Sequence, residues 1–197
     1  MKIAIIKYNA GNVQSVIYAL QRMGLEPLLT DDLDYISSAD KVIFPGQGEA
    51  SSAMRHLKER KLDQLIPSLQ QPFLGICIGL QLMCQHSEEG NTPCLGIYPL
   101  EVRKFIVDDA HKGTKIPHMG WNNLEGCQGK LLEGLIDPYV YYVHSYYAEV
   151  GDETIARTEY IHPFSAALEK QNFYAIQAHP EKSGADGQKI LDNFLKL

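Results

Sequence analysis

The sequence predicts an α/β fold, a mostly parallel twisted sheet flanked by helices, with antiparallel additions at one side. Three observations carry this expectation. Short runs that are apolar at nearly every position, such as Ile3–Ile6 and Phe73–Ile76, indicate strands buried on both faces, as in a parallel sheet. Between such runs lie stretches whose apolar residues recur every three or four positions, the period of an amphipathic helix. The second half carries short strand-like runs in close succession, which suggests antiparallel pairing at one edge.

Taken in order, residues 2–8 form the first strand candidate. Asn9, Ala10, Gly11 and Asn12 have turn chemistry. Val13, Val16, Ile17, Leu20 and Met23 then make a helical stripe that Gly24 ends. Residues 26–30 and 41–44 read as the second and third strands. A Pro45-Gly46-Gln47-Gly48 loop follows, then a helix starting near Ser51 or Ser52, and residues 57–69 read as helical with Pro67 disturbing the end. After the fourth strand and its helix, residues 87–93 form a polar loop. Strands are expected at 102–107, 114–117, 139–144, 154–158, 165–169 and 173–178. A terminal helix at 185–197 should bury Ile190, Leu191, Phe194 and Leu195.

At 197 residues the chain is expected to be one domain, 1–197. Its 45% hydrophobic and 21% charged residues are ordinary for a soluble globular protein. A net charge of -6 with no Lys/Arg cluster argues against a nucleic-acid surface. The first apolar run is too brief for a secretory signal, and none approaches the ~20 residues that span a bilayer. A cytoplasmic location is therefore expected. There the four cysteines, Cys77, Cys84, Cys94 and Cys127, would stay reduced; none forms a C-x-x-C pair, and Cys84 reads as core. The seven histidines show no H-x-H or H-E-x-x-H spacing, so a metal site is not expected.

The chemistry centres on Cys77. It follows an apolar strand, precedes a helix, and has Gly75 and Gly79 two positions to either side. This is the spacing of a nucleophile elbow with sulfur in place of oxygen. The glycines let the sharp turn form, and the turn leaves the thiol at a helix N-terminus, where amide N–H groups favour an anion. Read alone, a cysteine in an apolar segment is an inert buried residue; its partners decide otherwise. After the strand at 173–178 comes His179-Pro180-Glu181. Pro180 biases His179 towards extended backbone. In an extended segment residues two apart share a side, so Glu181 would lie beside the imidazole and fix its tautomer.

Gly46-x-Gly48-x-x-Ser51 admits two further readings besides a tight turn. As a dinucleotide fingerprint it is degenerate, because the third position is Ser51 and it follows the third strand. As a glycine-flanked loop it could offer N–H groups to a developing oxyanion.

Together, GICIGLQ around Cys77 and AHPEKS around His179 resemble the class I, triad-type glutamine amidotransferases, whose oxyanion strand PGQG also resembles. Within that class, PHMGWN, YYVHSYY, HPEKS and YNAGNVQS are similar to the glutaminase subunits of imidazole glycerol phosphate synthases. The resemblance covers essentially the whole chain. It implies hydrolysis of glutamine to glutamate and ammonia, without a cofactor, through a Cys77 thioester, with His179 as acid–base and Glu181 orienting it. Gly46, Gln47, Gly48 and Ile78 would form the oxyanion hole. It further implies glutamine contacts at Gln81, His144, Ser145 and Tyr146. The ammonia would pass to a (βα)8-barrel cyclase in a heterodimer, which Met119, Trp121, Tyr141 and Lys182 would face. Lys7, where the family usually carries Asp, and Gln47, where it carries an apolar residue, depart from the pattern. The runner-up is the same half-reaction serving another synthase, such as sugar amidination. A peptidase-like cysteine hydrolase is disfavoured by Gln81 and PHMGWN, and a non-catalytic module by the intact Cys77, His179 and Glu181.

Overall fold

In the computed structural model, which describes residues 1–8 and 13–197, continuous burial marks the centre of the sheet. Strands β1 (Ile3–Ile6), β3 (Lys41–Phe44), β4 (Phe73–Ile76) and β13 (Phe173–Ile176) are buried at every position. Successive side chains point to opposite faces. Ala4, Ile6, Val42, Phe44 and Phe73 therefore join one core, and Ile3, Ile5, Ile43, Leu74 and Ile76 the other. With β2 (Leu28–Thr30), these strands run parallel in the order β13-β4-β3-β1-β2. Two antiparallel strands, β11 (Thr154–Glu159) and β12 (Pro163–Lys170), extend the same sheet beyond β13. They are the expected additions at one side.

Helix α1 (Gln14–Arg22) buries Val16, Ala19 and Leu20, and α6 (Gly184–Lys196) buries Ile190, Leu191 and Phe194 on the same side of the sheet, with Leu195 half-buried. On the other face lie α2 (Leu33–Ser37), α3 (Ala50–Glu59), α4 (Leu62–Leu65) and α5 (Ile78–Met83).

Several expectations are corrected. The second strand starts at Leu28, because Pro27 has no N–H to pair. A short helix, α2, was not anticipated; the Asp32 side chain caps it by accepting from the Tyr35 N–H at 2.7 Å. Residues 57–69 are not one helix. Lys61 adopts left-handed backbone (φ 60), which redirects the chain so that Leu57 and Leu62 both reach the core. The expected polar loop at 87–93 contains a small hairpin of β5 (His86–Ser87) and β6 (Thr92–Pro93). With β7 (Glu101–Lys104) and β10 (Tyr146–Ala148) it forms a second sheet, β10-β7-β5-β6. Residues 114–117 make no strand: the Thr114 N–H turns back to the His111 carbonyl, and Pro117 has no N–H. PHMGWN instead begins β8 (His118–Asn123), paired antiparallel with β9 (Tyr139–His144). The turn expected at Asn9 to Asn12, and with it the middle of YNAGNVQS, lies outside the described residues.

Candidate active site

Three neighbouring strands of the parallel sheet, β3, β4 and β13, end at one place. In open α/β sheets the carboxyl ends of strands are where ligands bind. Cys77 follows β4 directly. It holds φ 54 and ψ -110, an uncommon conformation for a residue with a Cβ, and its N–H donates to the Ile176 carbonyl at 2.8 Å. Such strain persists only where surrounding packing enforces it. Here the enforcing contacts are visible at the two glycines. A Cβ on Gly79 would run into the Phe44 carbonyl oxygen, and one on Gly75 into Met83 and the Gly79 backbone. Strand and helix thus meet closer than any side chain allows.

His179 follows β13. Its N–H donates to the Tyr141 carbonyl at 2.9 Å, and its carbonyl accepts from the Ser183 hydroxyl at 2.6 Å. The chain does not remain extended, as expected, through Glu181: Pro180–Lys182 is a single 3-10 turn. Pro180 fits the first position of such a turn, where no N–H is needed. The turn still brings the side chains together, with His179 Nδ1 at 2.8 Å from Glu181 Oε1 and both side chains almost wholly buried. Burial by itself would lower the imidazole's pKa. The charge of the Cys77 sulfur and the Glu181 carboxylate outweigh it and push it up to about 10.

The second ring nitrogen, Nε2, is buried and unpartnered. The Cys77 sulfur lies near enough to the ring to support its charged form. Sγ contacts the Val143 carbonyl at 3.9 Å and accepts from Gln177 Nε2 at 3.5 Å.

A cavity of about 390 Å³, large enough for a small polar ligand, opens over the sulfur. Gln47, Gly48 and Ile78 line one part of it; Gln81, His144, Ser145 and Tyr146 line another. Among the described residues nothing accepts from the Ile78 N–H, as expected for the first turn of a helix. Gly46 lies beneath this wall. A Cβ there would strike the Tyr8 hydroxyl and Ile78, and that hydroxyl donates to the Pro45 carbonyl at 2.6 Å. Gly48, at φ 150, has backbone geometry that favours glycine.

Two expected ligand contacts are partly committed elsewhere. Gln81 Nε2 donates to the Tyr146 carbonyl (2.8 Å) and to Gln177 Oε1 (2.9 Å), leaving its oxygen for a ligand. The His144 ring bonds the Tyr146 carbonyl through Nδ1 (2.8 Å) and His118 through Nε2 (3.0 Å), so His144 contributes wall rather than a polar contact.

Three side chains escaped the sequence reading. Tyr8 anchors the β3 loop. Glu89 reaches the cavity from the β5–β6 turn; burial raises its pKa against the opposing bond from the Ala50 N–H. Gln177 touches the sulfur. Only Tyr8 and Gln177 had any signal, each lying beside a segment already singled out.

Met119 and Trp121 project from β8 and are 63% and 46% exposed, so the lone tryptophan is not core. Trp121 stacks on exposed Tyr139 and meets Tyr141 edge-on. Lys182 lines a separate cavity of about 300 Å³ with Glu181 and Arg22. Among the described residues no group of His, Cys, Asp and Glu could hold a metal ion, and no helix is long and apolar enough to cross a membrane.

The family model for glutamine amidotransferase class-I matches residues 5–197. The chain is 56% identical to the imidazole glycerol phosphate synthase subunit HisH of Bacteroides thetaiotaomicron and 44% identical to that of Pectobacterium atrosepticum, each over the full length of both chains. Among solved structures, it is similar to a glutamine amidotransferase (TM-score 0.75, 17% identity, 98% of this chain and 97% of the other). It is also similar to PurLQS from Thermotoga maritima (TM-score 0.73, 17% identity, 99% and 97%). At such identities the structural likeness concerns the fold alone.

Proposed function

Since this chain belongs to the class I glutamine amidotransferase family, we propose that Cys77, His179 and Glu181 are the catalytic residues of its glutaminase reaction. The enzyme hydrolyses glutamine and supplies the ammonia for imidazole glycerol phosphate synthesis in histidine biosynthesis, as a subunit that works with a partner subunit. The observation that carries the assignment of residues is the strained Cys77 at the end of β4, beside the His179–Glu181 pair at the end of β13.

The mechanism follows from this arrangement. Glu181 accepts from His179 Nδ1, which leaves Nε2 free for proton exchange. With the imidazole raised to about 10, Nε2 already holds the thiol's proton at pH 7, and the sulfur attacks the side-chain amide carbon of glutamine. The carbonyl oxygen becomes an oxyanion held by the Ile78 N–H and an amide of the Gly46–Gly48 loop. Collapse breaks the C–N bond, and His179 protonates the departing nitrogen. The glutamyl thioester then yields to a water that His179 deprotonates, giving glutamate and the freed sulfur beside a protonated His179. The Gln81 oxygen and the Glu89 carboxylate suit the substrate's α-ammonium. The Gln47 peptide, between two glycines, flips to complete the hole only when the partner is liganded.

The partner is a (βα)8-barrel cyclase, docked as a heterodimer on the face bearing Met119, Trp121, Tyr141 and Lys182. Exposed, stacked aromatics suit an interface anchor. The reaction is placed in the cytoplasm.

Cys77→Ala tests the assignment. In the assembled synthase it should abolish glutamate release from glutamine while synthesis from high external ammonium persists. Retained glutaminase activity would remove Cys77 from the mechanism, and loss of the ammonium reaction would refute the division of labour between subunits.

A further inference from the structure

Gln177 lies two residues before His179, is fully buried, and has its backbone N–H tied to the Ala166 carbonyl at 2.8 Å. Its side chain makes two bonds. Oε1 accepts from Gln81 Nε2 at 2.9 Å, and Nε2 donates to Cys77 Sγ at 3.5 Å.

The first bond fixes the polarity of the second. If the Gln177 amide were turned over, two N–H groups would face each other and an oxygen would face the sulfur.

Gln81 is itself oriented, because its Nε2 also donates to the Tyr146 carbonyl at 2.8 Å. That carbonyl accepts a second hydrogen bond from His144 Nδ1, also at 2.8 Å. With its proton on Nδ1, His144 has Nε2 free to accept from His118 Nδ1 at 3.0 Å. His118 Nε2 then accepts from Asn122 Nδ2 at 3.4 Å, and Asn122 Nδ2 is held in turn by the Glu159 carbonyl at 2.9 Å. One choice of tautomers and amide orientations satisfies every one of these bonds, from β8 to the sulfur.

We infer that Gln177 is a further catalytic residue, a fixed N–H donor to the Cys77 sulfur, and that Gln81 and the His118–His144 pair are positioning residues that keep its amide the right way round. This inference rests on Cys77 being the nucleophile. With the thiol's proton on His179, the bond from Gln177 to the sulfur is charge-assisted and stronger than one to a thiol. The strained elbow sets where Sγ starts from, and Gln177 sets where its charge is held.

The test uses Gln177→Met and Gln177→Glu in the full chain, assembled with its synthase partner. Gln177→Met keeps the length of the side chain and removes both the donor to the sulfur and the acceptor for Gln81. Losing one hydrogen bond to a charged group is expected to lower kcat for glutamine hydrolysis roughly 10- to 100-fold. KM should change less than about twofold, because the donor does not touch substrate and Gln81 keeps its bond to the Tyr146 carbonyl. Alkylation of Cys77 by iodoacetamide without glutamine, followed by mass spectrometry, should slow in parallel. Gln177→Glu keeps the acceptor for Gln81 but sets an ionisable oxygen against the sulfur, so its defect in alkylation should deepen as pH rises.

Wild-type kcat and wild-type alkylation in either folded variant would overturn the inference. So would a change confined to KM. If Gln177→Met does not fold, the nearly isosteric Gln177→Glu decides alone: a pH profile of alkylation that overlays the wild type refutes the donor. If Cys77→Ala keeps its glutaminase activity, the catalytic assignment itself fails, and the two failures are distinguishable.

Discussion

Lowering the pH from 7 to 5 should remove about 3 kcal/mol of folding stability, and the buried His118–His144 pair should account for it. Both rings are almost completely buried, 3% and 5% exposed. Burial lowers His118 from 6.5 to about 4. Burial also lowers His144 to about 3, helped by the nearby His118 and His179 and opposed by the bond to the Tyr146 carbonyl. A depressed histidine contributes stability in full above its unfolded value near 6.5. That stability is lost as pH falls below this value, because the unfolded chain takes up a proton that the folded ring refuses. Between pH 7 and 5 the loss is about 2 kcal/mol for each ring. His179 works in the opposite sense. Raised to about 10, it is already protonated in the folded chain at pH 7, so it gives back about 1 kcal/mol on acidification. A net 3 kcal/mol is a large part of the 5–15 kcal/mol that holds a typical domain together. Urea denaturation at the two pH values, at constant ionic strength, measures it. The double variant His118→Gln, His144→Gln cannot titrate at these positions and should lose less than about 1 kcal/mol over the same interval. A wild-type protein equally stable at both pH values would contradict this account, as would a double variant that keeps the full pH dependence.

Other outcomes follow from the same geometry. Glu181→Gln retains an acceptor for His179 Nδ1 but removes the charge that supports the imidazolium, so kcat should fall by roughly 10²–10⁴, measured as glutamate release in the assembled synthase. The His179 contribution to stability, complete below pH 6.5, should disappear as pH rises through about 10, seen as a falling urea midpoint on the alkaline side. Gly79→Ala drives a methyl into the Phe44 carbonyl and should cost about 1–3 kcal/mol or more, with a lower thermal midpoint. Trp121→Ala removes an exposed side chain. It should leave the urea midpoint within about 0.5 kcal/mol of wild type while weakening capture of the synthase partner in a titration.

Whatever depends on local pattern could be read along the chain. Uninterrupted apolar runs announced β1, β3, β4 and β13, because a strand covered on both faces has no polar side to show. Glycines flanking Cys77 announced the elbow, because close approach of strand and helix leaves no room for a Cβ. His179 and Glu181 were legible as a pair, although a 3-10 turn rather than extended chain joins their side chains.

What spans long sequence separations was decided only in three dimensions. The short strands after Met83 carry too little pattern to say which neighbour each takes, so their division among the main sheet, the β10-β7-β5-β6 sheet and the β8–β9 ribbon came from packing. Glu89 reached the cavity because an unforeseen hairpin turned it there. Asn122, His118, His144, Gln81, Gln177 and Cys77 come together from distant stretches of chain. A hydrogen bond needs its donor and acceptor within about 3 Å, and no spacing along the chain encodes that distance once the partners lie a hundred residues apart.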